Sequence, residues 1–168
     1  DDNAAAIWRG PMVSSAVQQL LFLVQWGELD VLVVDLPPGT GDAQLSLIQN
    51  VPLSGAVIVS TPQLVALADV RRAVAMFNKV QTPVLGVIEN MSAFECPQCG
   101  HVSHIFGHGG AVAEAEKQQV PLLGQVPLSE HVRQLSDDGK PVTVATPDHV
   151  ASAVFRDIAT KVVASIFR

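Results

Sequence analysis

Cysteine is nearly absent from this chain of 168 residues: there are two, and both stand in one local motif, Cys96-Pro97-Gln98-Cys99. A secreted disulfide framework draws on many cysteines paired across the chain, so that class is excluded. Positive charge is scarce as well, with 10 Lys and Arg against 16 Asp and Glu and a net charge of -6. Nucleic-acid binding needs clustered Lys and Arg, and these are scattered, so nucleic acid is not an expected partner. No apolar run reaches the roughly 18 residues of a membrane span, and no basic stretch followed by an apolar one opens the chain. The membrane is not an expected partner either. Gly-x-Ser-x-Gly and His-Glu-x-x-His motifs are also missing, which leaves acyl transfer and zinc proteolysis without support.

What is present is core material. Hydrophobic residues make up 48% of the sequence and the mean hydropathy is +0.33. A chain of this length and composition reads as one compact, intracellular domain, residues 1–168, with no linker, repeat or low-complexity tract to divide it. The opening Asp1-Asp2-Asn3-Ala4-Ala5-Ala6 is neither an initiator methionine nor a targeting peptide, so a processed or recombinant fragment is expected.

Residues 31–36, 56–60 and 84–88 are short, β-branched-rich apolar runs without polar alternation, and residues 122–126 are a weaker fourth. Such runs suit strands covered on both faces. Between them lie helical stripes: Val13, Val17, Leu20 and Val24; Leu67, Val70, Val74 and Phe77; Val150, Val154, Ile158, Val162 and Ile166. Thr61-Pro62 and Thr146-Pro147 read as helix starts, and a helix begun at Ser129 should end at Gly139. The alternation predicts an α/β fold of three layers, a mostly parallel sheet with helices on both faces and ligands at the carboxyl ends of the strands.

The first predicted strand ends at Asp35 and runs into Leu36-Pro37-Pro38-Gly39-Thr40-Gly41-Asp42. A carboxylate at a strand's carboxyl end stands where Mg²⁺ and phosphates sit in nucleotide-binding α/β proteins, and glycines let backbone N–H groups approach an anion. The plainer reading is a strand, a Gly-Pro turn, and Asp42 capping the next helix. Both stay open on the local pattern. Gly107-His108-Gly109-Gly110, just ahead of a helical stretch, reads either as an anion cradle or as a hinge.

Two thiolates spaced as Cys96 and Cys99 can reach one metal ion, but a closed tetrahedral site needs four ligands. A second chain can supply the rest. His101, His104 or His108 can complete a mononuclear site, a thioredoxin-like redox pair is a third reading, though that motif should open a helix, and inert buried thiols are the remaining one.

Six segments together resemble a known family. Trp8-Arg-Gly-Pro-Met12, Asp35 to Asp42, Ser60-Thr-Pro-Gln63, Glu89-Asn-Met-Ser92, Cys96-Pro-Gln-Cys99 and Ile105-Phe-Gly107 occur in this order in the Mrp/ApbC iron–sulfur cluster carrier ATPases. Those are MinD-like, deviant Walker A P-loop NTPases. The resemblance implies that Asp35 is the Walker B aspartate and that Pro37, Gly39, Thr40, Gly41 and Asp42 belong to the segment sensing the γ-phosphate. It implies that Asn90 bonds adenine, that Pro127 flanks the base, and that residues 90–110 form a metal-binding insertion. Cys96 and Cys99, with their twins in a homodimer, would hold a 4Fe-4S cluster across the interface. A zinc ion is the alternative occupant of such a thiolate site.

One departure is large. The family's Gly-Lys-Gly-Gly-Val-Gly-Lys-Ser phosphate loop lies upstream of the Trp-Arg-Gly-Pro-Met segment, and this sequence contains nothing like it. The resemblance therefore implies the C-terminal portion of an ATP- and Mg-dependent ATPase, which alone does not hydrolyse ATP. Implied partners are apo iron–sulfur proteins and cluster assembly factors, in the bacterial cytoplasm or, alternatively, the mitochondrial matrix. A zinc-stabilised dimerising module and a MinD-type partitioning ATPase are the competing functions.

Overall fold

The computed structural model describes residues 10–36 and 42–167. The chain divides into two compact units, Asp1–Leu53 and Ser54–Arg168.

In the first unit α1 (Gly10–Phe22) packs on α2 (Asp42–Asn50). Helix α2 buries Gln44, Leu47 and Ile48, the i, i+3, i+4 spacing of one helical face. The stripe predicted on the first helix is only partly realised. Leu20 is exposed, and Val24 is exposed and lies beyond the helix end. Periodicity marks the side a helix would bury, and burial still requires a partner along its whole length.

Residues 31–36 correct a prediction: they form no strand and are irregular, and Val33 is 86% exposed. An apolar run becomes a strand when neighbouring backbone takes up its N–H and C=O groups. Among the described residues no strand pairs with this one.

The second unit carries the sheet. Its elements are β1 (Ala56–Ser60), α3 (Leu64–Lys79), β2 (Val84–Glu95), β3 (Val102–Ser103), α4 (Gly110–Gln118), β4 (Leu122–Leu128), α5 (Glu130–Asp137), α6 (Val142–Ala145) and α7 (Val150–Ile166). Strand β2 is central, with β1 and β4 both parallel to it and β3 antiparallel to its far end. Parallel neighbours joined through helices are what continuous apolar runs dictate, because both faces must be covered.

Alternation along β2 assigns the faces. Cross-strand partners share a face, so Ile58 and Val87 lie together, as do Ser60, Glu89 and Gln125. This side packs on α3 and α4, where Leu67, Val70, Val74 and Phe77 form the predicted buried stripe. Each such side chain, fully buried, contributes on the order of 1.5–3 kcal/mol. Ile88 points the other way, into a cluster of Leu123, Val126 and Ile158 with Val154 and Val162 of α7. Helices therefore cover both faces and the three-layer α/β prediction holds. On the α7 side, β1 keeps Val57 and Val59 exposed.

Two helix starts differ from expectation. Helix α3 begins at Leu64 after Gln63, and the Thr61 hydroxyl bonds the Gln63 side chain instead of capping. Helix α7 is capped by His149, whose Nδ1 accepts the Ala151 N–H at 3.1 Å, while Thr146 ends α6. In both places the cap falls one or two residues beyond the proline. Ser129 behaves as predicted: its Oγ accepts the Val132 N–H at 3.3 Å, and Gly139 follows the last residue of α5's cap. Among the described residues no helix is long and apolar enough to cross a membrane.

Candidate functional site

Strand β2 is 12 residues long against 5 for β1, and the excess builds the cysteine site. From Ile88 through Asn90 it stays in register with β4. Met91 then takes φ +55°, a left-handed conformation that is costly for a residue with a side chain, and the pairing register shifts between Asn90 and Phe94. Past this kink β2 pairs with β3, Phe94 opposite Ser103 and Glu95 opposite Val102. The predicted loop insertion is thus a short hairpin extending the central strand.

At its tip the Cys96 N–H donates to the His101 carbonyl at 2.9 Å, and the Gly100 N–H donates to the Cys96 carbonyl at 2.8 Å. The second bond closes the turn with Gly100 at φ +70°, where a side chain would be strained. The backbone N–H groups of Gln98 and then Cys99, followed by the Cys99 thiol, hold the Cys96 thiol below its ordinary pKa. Donors aimed at sulfur favour thiolate, the form that binds metal. Cys96 is half-buried and Cys99 exposed, so the pair faces outward.

Among the described residues no group of three or more His, Cys, Asp or Glu side chains is placed to hold a metal ion. The histidine-completed site read from sequence is therefore not formed within one chain. His104 stands at the hairpin's root, where its Nδ1–H donates to the Ser92 carbonyl at 3.0 Å and its ring lies 4.3 Å from that of His108. The redox-helix reading also fails on geometry, since a Gly100 turn and β3 follow the cysteines instead of a helix.

Asn90 and Pro127 lie on adjoining strands, β2 and β4. Asn90 pairs with Val126, the residue before Pro127, and its Oδ1 accepts the Met91 N–H at 2.9 Å. The Ser92 hydroxyl donates to the Val126 carbonyl at 3.2 Å, fixing β2 to β4 just beyond the kink.

The switch segment is described only at its ends. Asp35 is exposed in the irregular stretch of the first unit, not at the end of a strand, and Asp42 is the first residue of α2. Pro37, Gly39, Thr40 and Gly41 lie outside the described residues.

One residue escaped the sequence reading. Glu89 has no exposed surface, yet both carboxylate oxygens are engaged: Oε2 accepts the Ala111 N–H at 2.9 Å and Oε1 accepts the Gln125 amide at 2.7 Å. The anion at the N-terminus of α4 is the protein's own. Gly110 permits this, because a Cβ there would collide with the Pro62 carbonyl. A glutamate one position before Asn90 carries no local signal of contact with a helix 22 residues on.

A family model described as "ParA: NUBPL iron-transfer P-loop NTPase" matches residues 1–163. The iron-sulfur cluster transfer protein NUBPL of Dictyostelium discoideum is 55% identical over 163 residues, covering 97% of this chain and 50% of that protein. The iron-sulfur cluster carrier protein of Salmonella typhimurium is 50% identical, covering 99% of this chain and 45% of that protein. A nucleotide-binding protein from Archaeoglobus fulgidus, solved in complex with ADP and with cobalt, superposes with a TM-score of 0.70 at 43% identity, over 77% of this chain and 53% of the other. The chain spans about half the length of the curated relatives it matches. With a match over nearly all of its sequence, and with relatives this similar, the chain belongs to the ParA/NUBPL family of iron-transfer P-loop NTPases.

Proposed function

We propose that the protein carries an iron–sulfur cluster as cargo between two copies of itself and hands it to apo iron–sulfur proteins, under control of ATP. The observation that carries this reading is the outward-facing Cys96/Cys99 pair, with thiolate favoured and no third ligand among the described residues of its own chain. Two such pairs related by a twofold axis supply the four thiolates of a 4Fe-4S cluster. Zinc fits the same donor set, and which occupies it follows metal supply. Transfer to an acceptor, not metal content, separates a carrier from a zinc-stapled dimer.

In this reading Asn90 bonds the adenine and Pro127 flanks it. In the whole protein Asp35 serves Mg²⁺ as the Walker B carboxylate, and residues 37–42 sense the γ-phosphate. Support comes from the placement of Asn90 and Pro127 on adjoining strands, and from relatives named for cluster carriage or transfer. The single-domain reading of residues 1–168, as the C-terminal part of the nucleotide-binding domain, belongs to the same proposal. So does residence in the bacterial cytoplasm, with the mitochondrial matrix as the alternative, since the relatives come from both a bacterium and a eukaryote. A partitioning ATPase of the MinD kind would leave the cysteine hairpin without a task.

The test is anaerobic reconstitution with iron and sulfide. The protein should gain broad visible absorbance and pass its cluster to an apo-ferredoxin, and Cys96→Ser should do neither. An unchanged spectrum in that variant would sink the proposal.

A further inference from the structure

Residues 89–111 form a closed loop. The chain kinks at Met91 beyond Asn90, continues along β2 to the cysteine tip, returns through β3 and His104, and enters α4 at Gly110. Glu89 ties the two roots together, from the β2 residue before Asn90 to the first turn of α4. Its other oxygen is held by Gln125, its cross-strand partner on β4, the strand that continues into Pro127. The one side chain thus touches the strand bearing Asn90, the strand bearing Pro127, and the helix that receives the hairpin.

A carboxylate is an expensive way to fill this position if stability were all that mattered. Burying a charge is unfavourable unless it is paired and hydrogen-bonded, and apolar replacements of buried polar clusters are often neutral or stabilising. Here the compensation comes from two donors and the N-terminal dipole of α4. These bonds are directional, and they fix where α4 begins relative to β2 and β4. The return side of the hairpin has a second tie from His104 to Ser92. The outgoing side carries the strained Met91 and is then held to β4, where the Ser92 hydroxyl donates to the Val126 carbonyl and Phe94 pairs with Leu128. Bound at both roots and kinked at one, the hairpin follows any displacement of the β2 and β4 ends as a unit.

We propose that Glu89 is a positioning residue: by joining the roots of the cysteine hairpin, it couples the nucleotide end of β2 and β4 to the placement of Cys96 and Cys99. The inference rests on the cargo and nucleotide roles proposed above. It assigns Glu89 no contact with either ligand.

The experiment compares the full-length protein with Glu89→Ala, Glu89→Gln and Cys96→Ser variants. Each is reconstituted anaerobically, and transfer to apo-ferredoxin is timed with and without ATP and Mg²⁺. Coupling between sites is typically on the order of tenfold, and Glu89→Ala should bring this nucleotide effect down to about onefold while cluster loading stays at the wild-type level. Glu89→Gln keeps an acceptor for Ala111, and Gln125 can turn its carbonyl toward the new amide, so this variant should retain most of the effect. A residue that mattered only for folding would lower loading and the unfolding temperature together, with the nucleotide effect preserved in the molecules that load.

Hydrogen exchange without metal or nucleotide gives a reading independent of the cargo assignment. Ala111 and residues 91–110 should exchange faster in Glu89→Ala, with the 84–88 amides still protected. If Glu89→Ala does not fold, Glu89→Gln decides: wild-type protection of residues 91–110 supports the tie, and loss of that protection at full transfer coupling overturns it. A wild-type protein that loads and responds to ATP, matched by an equally responsive Glu89→Ala, overturns this inference alone. A wild-type protein that takes up no cluster overturns the cargo reading and the coupling with it.

Discussion

Arg71 of α3 and Glu114 of α4 form an ion pair at 3.0 Å whose two ends lie in different media, the arginine side chain 51% exposed and the glutamate 2%. The carboxylate is also bonded by the Gln118 amide at 2.9 Å. The hydrogen bond from Arg71 holds the Glu114 pKa below its ordinary 4.5, against a smaller opposing effect of burial. A group whose pKa is lower folded than unfolded stabilises above the unfolded value and loses that contribution as pH falls through the folded one. Thermal unfolding should therefore show a midpoint that drops as pH falls below about 4.5, with Glu114→Gln flattening that part of the profile and lowering the midpoint at pH 7. A Glu114→Gln profile parallel to wild type would show that the pair does not contribute to acid sensitivity.

Metal should control association. Since each chain presents two thiols and no further ligand among its described residues, a chelator should convert a metal- or cluster-loaded dimer to monomer in sedimentation velocity. Cys99→Ser should be monomeric in both conditions. A dimer that survives both treatments would place its contacts away from the hairpin tip.

Gly110→Ala tests the close approach beneath α4. Helix propensity alone favours alanine over glycine by about 1 kcal/mol. Yet the added methyl meets the Pro62 carbonyl, and backbone cannot step aside as a flexible side chain would. Overpacking of this kind typically costs about 1–3 kcal/mol, so urea unfolding should show net destabilisation. Stabilisation would mean that α4 can shift outward freely, which would also count against a rigid hairpin root.

ATP turnover should be negligible for the chain of residues 1–168 by itself. Nothing in its sequence supplies the glycine-rich loop and lysines that hold a triphosphate. Phosphate release at a rate comparable to the full-length protein's would contradict this and require another phosphate cradle.

The second unit was largely legible because its signals are self-sufficient. Leu67, Val70, Val74 and Phe77 announce a buried helix face by spacing alone, and the runs at 56–60 and 84–88 announce covered strands. The cysteine pair was legible because thiols are scarce and their chemistry is narrow. Residues 31–36 read as a strand just as clearly, but composition cannot provide the neighbour whose backbone completes one. Pairing is a property of two segments, and Val33 stands exposed among those described. Glu89 was illegible for the same reason in reverse. Its meaning lies in Ala111 and Gln125, far along the sequence, and no local pattern distinguishes a buried helix-bound carboxylate from a strand-end residue facing solvent.

The turn that tunes Cys96 also sets how the unloaded protein ages. A thiol with lowered pKa, in hydrogen-bonding reach of a second, exposed thiol, is a ready target for peroxide, and a sulfenic acid formed on one condenses with the other to a disulfide. Cargo bound to sulfur shields both. Empty protein exposed to air should therefore lose its capacity for cluster while its fold persists, and a thiol reductant, not refolding, should restore it.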